Sequence, residues 1–349
     1  MGLDEDSRRM ARAQRENKMD LLQFTDRGIF CPQANVYLDP WKPVDKAIIS
    51  HGHSDHAYAG HKHYLCTHEA LPVIRHRLLL QDNVSSLSYG EVTVINGVSF
   101  SFHPAGHIPG SAQIRVEHKG EVWVFSGDYK LQQDGISSPF EPVKCHVFIT
   151  ESTFGLPVYK WKPQEEVISD INQWWIKNTS EGKTSVIAGY ALGKAQRILR
   201  NIDSSVGRIF THGAVDAINE VLRSQGLVFA EAPRVTNETP KEHLKGALVI
   251  CPPSAVGSPW IRRFFPYSLG VTSGWMKLRG TRRRRGADRG FVLSDHADWD
   301  ELTATIRELA PREVWITHGR EEALKHWCLT RQVKACELNL VGYEDEEGG

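Results

Sequence analysis

His51-Gly52-His53-Ser54-Asp55-His56 is the stretch whose reading decides the fold. Six residues supply three imidazoles and one carboxylate, directly after the apolar pair Ile48-Ile49. Neutral imidazole and carboxylate are good ligands for Zn²⁺ and comparable divalent ions. An apolar strand that ends in such a turn aims several donors at one spot. A polar loop of solvated histidines is the plainer alternative, and clustering at ligand spacing weighs against it.

The rest of the chain sets limits on what such a loop could serve. Its 349 residues suit one large domain or two interleaved ones. Lys+Arg and Asp+Glu are equal at 42 each, so the molecule as a whole is no basic nucleic-acid binder, and any polyanion contact needs a local patch. The six cysteines are scattered without a CxxC pair, and no secretory or long apolar segment is present. A reducing cytoplasm is expected, with no membrane contact, no disulfide framework and no thiolate zinc site.

Residues 1–20 read as a flexible polar tail. From Leu21 to about 160 the punctuation is that of strands and hairpins, with Asn96-Gly97 a strong two-residue turn between apolar runs. Lys46–Ser50 is expected to be the strand that feeds the histidine turn, and Thr67 to cap a helix through Leu78. From 161 to 286 strands and helices alternate, which predicts a parallel α/β sheet. The segment 287–349 returns to strands near Phe291 and Val314, with helices following Asp298 and through Ala323.

Further ligands should lie at strand ends. His107 sits in a Gly/Pro loop after one strand, Asp128 ends another, and Asp39 closes Val36-Tyr37-Leu38. Three more strands end in a functional group: Thr150-Glu151-Ser152, Ser294-Asp295-His296 and Thr317-His318-Gly319. HxHxDH with His107 and Asp128 resembles the metallo-β-lactamase superfamily. The last three stretches resemble motifs A, B and C of its β-CASP nucleases. The resemblance covers nearly the whole chain after Leu21. It implies an α/β fold: a metallo-β-lactamase αββα sandwich with an inserted β-CASP α/β domain, and substrate held between the two. It is strongest for bacterial ligase-associated DNA exonucleases, on Gly189-Tyr190-Ala191-Leu192-Gly193-Lys194-Ala195-Gln196, Thr272-Ser273-Gly274-Trp275-Met276 and the arginine run before Asp288.

The resemblance also assigns roles. His51, His53, His107 and Asp128 would hold one divalent ion. Asp55, His56, His318 and the shared Asp128 would hold another, with zinc or manganese as the metal and Asp39 supporting the loop from behind. Paired ions about 3.5–4 Å apart stabilise both oxygens of a phosphodiester displacement and bring the pKa of water to about 7. Asp55, His296 and Glu151 form the catalytic set, with Glu151 orienting the His296 imidazole. Lys194, Arg279, Arg282, Arg283 and Arg284 are candidates for gripping phosphate. The expected substrate is nucleic acid, DNA ahead of RNA, cut from a 5′ end, with a functional link to a DNA ligase. The DNA crosslink-repair nucleases of this group usually lack a histidine at motif C. His318 therefore keeps an RNA-processing enzyme as the alternative, ahead of a thioesterase or lactamase-type hydrolase.

Other histidines have plainer readings. His212 repeats the Thr-His-Gly string inside the expected insert and reads as structural or substrate-side. His61 and His63 form an HxH pair with no Asp-His after it, which favours packing or surface roles. Asp298 reads as a helix cap.

Overall fold

The computed structural model describes residues 20–278, 286–319 and 321–338. Short apolar runs broken by turns build the first sheet: β1 (Gln23–Thr25), β2 (Gly28–Cys31), β3 (Val36–Leu38), β4 (Lys46–Ile48), β5 (His63–Thr67) and β6 (Val84–Leu87), hydrogen-bonded in that order. β1 to β3 pair antiparallel, and β3 to β6 pair parallel. β4 stops at Ile48, two residues short of the span read from sequence. Thr67 ends β5 and does not cap a helix directly. Its hydroxyl accepts from Ala70 N at 3.0 Å, and α1 (Leu71–Leu78) begins one residue later with a proline in its first turn.

A meander follows: β7 (Val92–Ile95), β8 (Val98–Pro104), β9 (Ala112–His118) and β10 (Glu121–Phe125), with β11 (Val147–Ser152) parallel to β10. Asn96 and Gly97 have φ of 49° and 78° and join β7 to β8. That turn's twist matches a two-residue hairpin.

The middle of the chain builds a separate parallel sheet from β12 (Thr184–Ala188), β13 (Ile209–Thr211), β14 (Leu248–Cys251), β15 (Tyr267–Thr272) and β16 (Arg289–Phe291), in the order β13-β14-β12-β15-β16. All five residues of β12 are buried, as a central parallel strand covered on both faces requires. α2 (Gln164–Ser180), α3 (Lys194–Asn201) and α4 (Gly213–Ser224) pack Ile171, Trp175, Ile198 and Leu222 on one face, against Ile187, Leu248 and Ile250. Ile261, Phe264 and Met276 cover the other face. β16 lies just past the boundary at 286 because Arg289 and Gly290 pair with Gly270 and Val271 of β15.

The chain then returns to the second sheet. β17 (Glu313–Gly319) pairs with β11 and β18 (Lys334–Glu337) with β17, completing seven strands in the order β18-β17-β11-β10-β9-β8-β7. Leu38, Ile48, Phe100, Ile114, Phe125 and Ile149 fill the space between the six- and seven-stranded sheets. α5 (Trp299–Leu309) and α6 (Glu321–Leu329) cover the far face of the seven-stranded sheet through Leu302, Ile306 and Leu324. α1 covers the far face of the six-stranded sheet through Ile74. The result is an αββα sandwich beside an α/β lobe. Among the described residues, no helix is long and apolar enough to cross a membrane.

Candidate metal centre

Strand ends deliver the site. The turn after β4 carries His51, His53, Asp55 and His56, the loop after β8 carries His107, and the end of β10 leads into Asp128. His51, His53, His107 and Asp128 bring one ligand atom each to within 4.8 Å of one another, all buried. Asp55, His56 and Asp128 form a second group, and Asp128, Glu151 and His296 a third. Asp128 thus stands at the junction of overlapping groups.

Each ring is held by one nitrogen and presents the other. His56 Nδ1 is 2.7 Å from Asp39 Oδ2, and the same Asp39 carboxylate accepts from Ser50 N at 2.7 Å and from the Ser50 hydroxyl. His51 Nδ1 is 3.0 Å from Ser50 Oγ. His53 Nε2 lies 3.2 Å from the Leu192 carbonyl, and His107 Nδ1 lies 2.7 Å from the Asp295 carbonyl. A carbonyl oxygen can only accept, so both those ring nitrogens carry the proton. In the neutral rings His53 Nδ1 and His107 Nε2 are then bare, yet they face each other at 3.0 Å. Two lone pairs at that separation repel unless a cation lies against both. Zn–N bonds of about 2.0–2.1 Å in tetrahedral array bring ligand nitrogens about 3.3 Å apart. His51 Nε2 is buried with no hydrogen-bond partner and has Asp128 Oδ2 at 3.5 Å. The donor set fits a divalent metal ion.

The electrostatics agree. Burial, then the neighbouring His56, pushes the His51 pKa well below its ordinary value. Burial, then His296 and His53, does the same to His107. Both rings are therefore neutral and able to ligate at neutral pH. Burial also opposes charge on His56, but Asp128 and Asp55 beside it overcome this and raise its pKa well above the usual value.

Glu151, at the end of β11, is fully enclosed. One oxygen accepts from Tyr129 N at 2.8 Å. The other accepts from Thr153 Oγ1 at 2.7 Å and from His296 Nδ1 at 2.9 Å. His296 Nδ1 also lies 3.9 Å from Asp128 Oδ2, and the residue is 8% exposed. Its backbone is fixed too, since Trp161 Nε1 donates to the His296 carbonyl at 2.9 Å. Asp298 caps α5 by accepting from Glu301 N at 2.9 Å and also accepts from Trp161 N at 2.7 Å.

Lys194 does not reach the surface. It is buried at the start of α3 with its ammonium 3.5 Å from Asp295 Oδ2. Arg197, one turn on, is buried beside it. Burial alone would raise the Asp295 pKa; Lys194, then Arg197 and Lys130, reverse this and hold the carboxyl well below the usual range. The side chain of His318 and the residues Arg279, Arg282, Arg283 and Arg284 lie outside the described residues. His212 caps α4 by accepting from Ala214 N at 3.1 Å, and His61 is buried as the acceptor for Val44 N at 3.3 Å. A largely apolar cavity of about 770 Å³ opens beside His53, lined by Arg77, Tyr190, Leu192, Ile218 and Pro252.

Sequence reasoning did not find the Leu192 and Asp295 carbonyls, Arg197 or Trp161. Main-chain acceptors leave no mark in a sequence. Arg197 left a faint one, a charge on the apolar side of α3 beside Ile198.

No family model matches the chain. It is 30% identical over 314 residues to a "Probable DNA ligase" of Opitutus terrae, covering 86% of this chain and 30% of that protein. It is 30% identical over 196 residues to an "RNase J-like protein" of Methanocaldococcus jannaschii, covering 47% and 45% of the two chains. It is 30% identical over 124 residues to "Endoribonuclease YSH1" of Kluyveromyces lactis, covering 35% and 16%. The chain spans less than half the length of each of these relatives. A crystal structure of a protein of unknown function from Enterococcus faecalis shares the fold, with a TM-score of 0.60 at 12% identity over 86% of this chain and 80% of that one. With the ligand cluster, the αββα sandwich and these relatives together, the chain belongs to the metallo-β-lactamase superfamily, in its β-CASP nuclease branch.

Proposed function

We propose that the protein is a metal-dependent phosphodiesterase acting on nucleic acid, and within that class a 5′-to-3′ DNA exonuclease of DNA repair. The observation that carries the hydrolytic reading is Asp128, shared by the His51/His53/His107 group, the Asp55/His56 group and the Glu151/His296 pair. Two divalent ions, zinc or manganese, would be held there by His51, His53, Asp55, His56, His107, Asp128 and His318. When bound, such ions supply an activated water at neutral pH and stabilise charge on the phosphoryl oxygens.

The chain's own residues do the rest. His296 Nε2 faces the reacting phosphate and holds the proton that passes to the leaving 3′ oxygen. Glu151, bonded to His296 Nδ1 at 2.9 Å, stabilises the charged ring and fixes its direction. The cavity beside His53 gives an unstacked base an apolar wall, with the Tyr190 ring 6.4 Å from that of His53. The five-stranded sheet and its helices form the inserted domain that closes this side of the cleft. Arg279 and Arg282 to Arg284 contact the phosphate backbone.

The choice of DNA rests on the relative named as a DNA ligase, which aligns over most of this chain. The relatives named for RNA cleavage support the second reading, an RNA-processing nuclease with the same site. Matched DNA and RNA strands, each 5′-labelled and incubated with manganese or zinc, decide between them. Successive release of nucleotides from the DNA 5′ end is expected; RNA cut while DNA is spared reverses the assignment. Asp128→Ala should abolish cleavage of either strand, and unchanged activity in that variant would remove the metal mechanism.

A further inference from the structure

The metal cluster is not completed by the sandwich alone. His53 and His107 are ligand candidates carried by sandwich loops, yet the hydrogen bonds that set their tautomers end on main-chain carbonyls outside those loops. The Leu192 carbonyl belongs to the five-stranded lobe, in the loop between β12 and α3, and takes the His53 Nε2 proton. The Asp295 carbonyl takes the His107 Nδ1 proton and lies on the strand-end segment that leads out of that lobe.

The residue that carries this second carbonyl is clamped from the lobe, through its carboxylate and the carbonyl before it. Arg197 Nη1 donates to Ser294 O at 2.5 Å and to Asp295 Oδ1 at 3.0 Å, while its Nε donates to Gln164 Oε1 at 2.5 Å. Lys194 Nζ stands 3.5 Å from the other Asp295 oxygen, and Lys130 donates to Ser294 O from the sandwich side. Arginine's fork suits this role because it fixes a carbonyl and a carboxylate at once. Gly193, between the Leu192 carbonyl and Lys194, has φ of 89°, and a Cβ there would fall 2.3 Å from Ile108 Cγ2, next to His107. The Gly193 backbone of the lobe thus packs directly on a side chain of the sandwich loop that carries His107, with no room for a Cβ between them.

We propose that Leu192–Arg197 is a collar that sets the orientation of two metal ligands, so that seating of the five-stranded lobe and metal affinity are one coupled equilibrium. Arg197 is its positioning residue, acting on His107 through Asp295. This rests on reading the cluster as a divalent-metal centre, and not on the choice of substrate. Coupling of this kind is reciprocal: the ion tightens the collar as much as the collar tightens the ion. Substituting a group that orients a metal-bound histidine typically costs 10–100-fold in metal affinity.

The test reads metal and backbone, without cleavage. Wild-type protein, stripped of metal and then titrated with Zn²⁺, is followed by hydrogen exchange. Amides from about 190 to 202 should slow on metal binding, although none of those residues is a ligand. Arg197→Lys keeps the charge and loses the fork, and should weaken Zn²⁺ binding roughly tenfold or more while slowing is reduced. Lys245→Ala, exposed on the same lobe, serves as the control and should change neither reading. Exchange at 190–202 indifferent to metal in wild type overturns the proposal even if Arg197→Lys fails to fold. So does a folded Arg197→Lys with wild-type metal affinity. Wild type that binds no Zn²⁺ overturns the metal reading beneath it. Metal-coupled exchange with no cleavage of any nucleic acid leaves the collar standing and removes the nuclease.

Discussion

Four imidazoles of the ligand cluster are held in two different ways. His51 and His56 are fixed from their own sheet, by the side chains of Ser50 and Asp39. His53 and His107 are fixed by carbonyls reached only after another 130 or more residues of chain, at Leu192 and Asp295. The first half of the centre is a local construction: β3 and β4 are parallel neighbours, and their ends place Asp39 beside Ser50. The second half exists only when the lobes meet. One centre thus combines a locally built half with a half that depends on contact between the lobes.

Glu151→Gln should have the largest effect in sharpening this contrast. It removes the carboxylate from His296, a third ring held by a strand end, and should lower the cleavage rate constant by about 10²–10⁴-fold. Metal affinity should change little, since Glu151 lies on the His296 side of Asp128. Equal losses of rate and metal affinity would merge the two roles. Asp39→Ala attacks the local half. Three buried donors lose their acceptor, at about 1–3 kcal/mol each, and Zn²⁺ affinity should fall 10–100-fold. Urea unfolding of metal-free protein with a metal titration reads both, and a cost below about 1 kcal/mol would mean that Asp39 is replaceable.

The smallest effect belongs to a histidine outside the centre. Burial pushes the His61 pKa down to about 4, so the folded state refuses a proton that the unfolded chain takes up near pH 6.5. Its contribution to stability is whole above about pH 6.5 and is lost as pH falls toward 4. His61→Asn, which keeps an acceptor for Val44 N, should flatten the fall of Tm over that window relative to wild type. Parallel Tm curves for the two proteins would refute the assignment.

What could be read from the sequence follows the same division. Ligands at strand ends are legible because the chemistry is in the side chain and the strand before it is apolar, as in Ile48-Ile49 before His51. The hairpin at Asn96-Gly97 and the alternation around β12 to β15 are legible because they are local. The start of α1 was misplaced because Thr67 serves the last position of β5 and caps a turn. Lys194 looked like an anion site at a helix start, and only the packing of Asp295 against it shows a buried ion pair. The carbonyls that orient His53 and His107 could not be read, because every residue has one.

The parallel pairing of β11 with β17 has a consequence for how the protein is made. Thr317 Oγ1 donates to Thr150 O across 167 residues of sequence. At ribosomal rates of about 5–20 residues per second, β11 waits roughly ten to thirty seconds for its neighbour. During that time a strand whose six residues are all buried in the finished protein offers an open edge. That edge stays unpaired by its final neighbour until the intervening lobe has been synthesised.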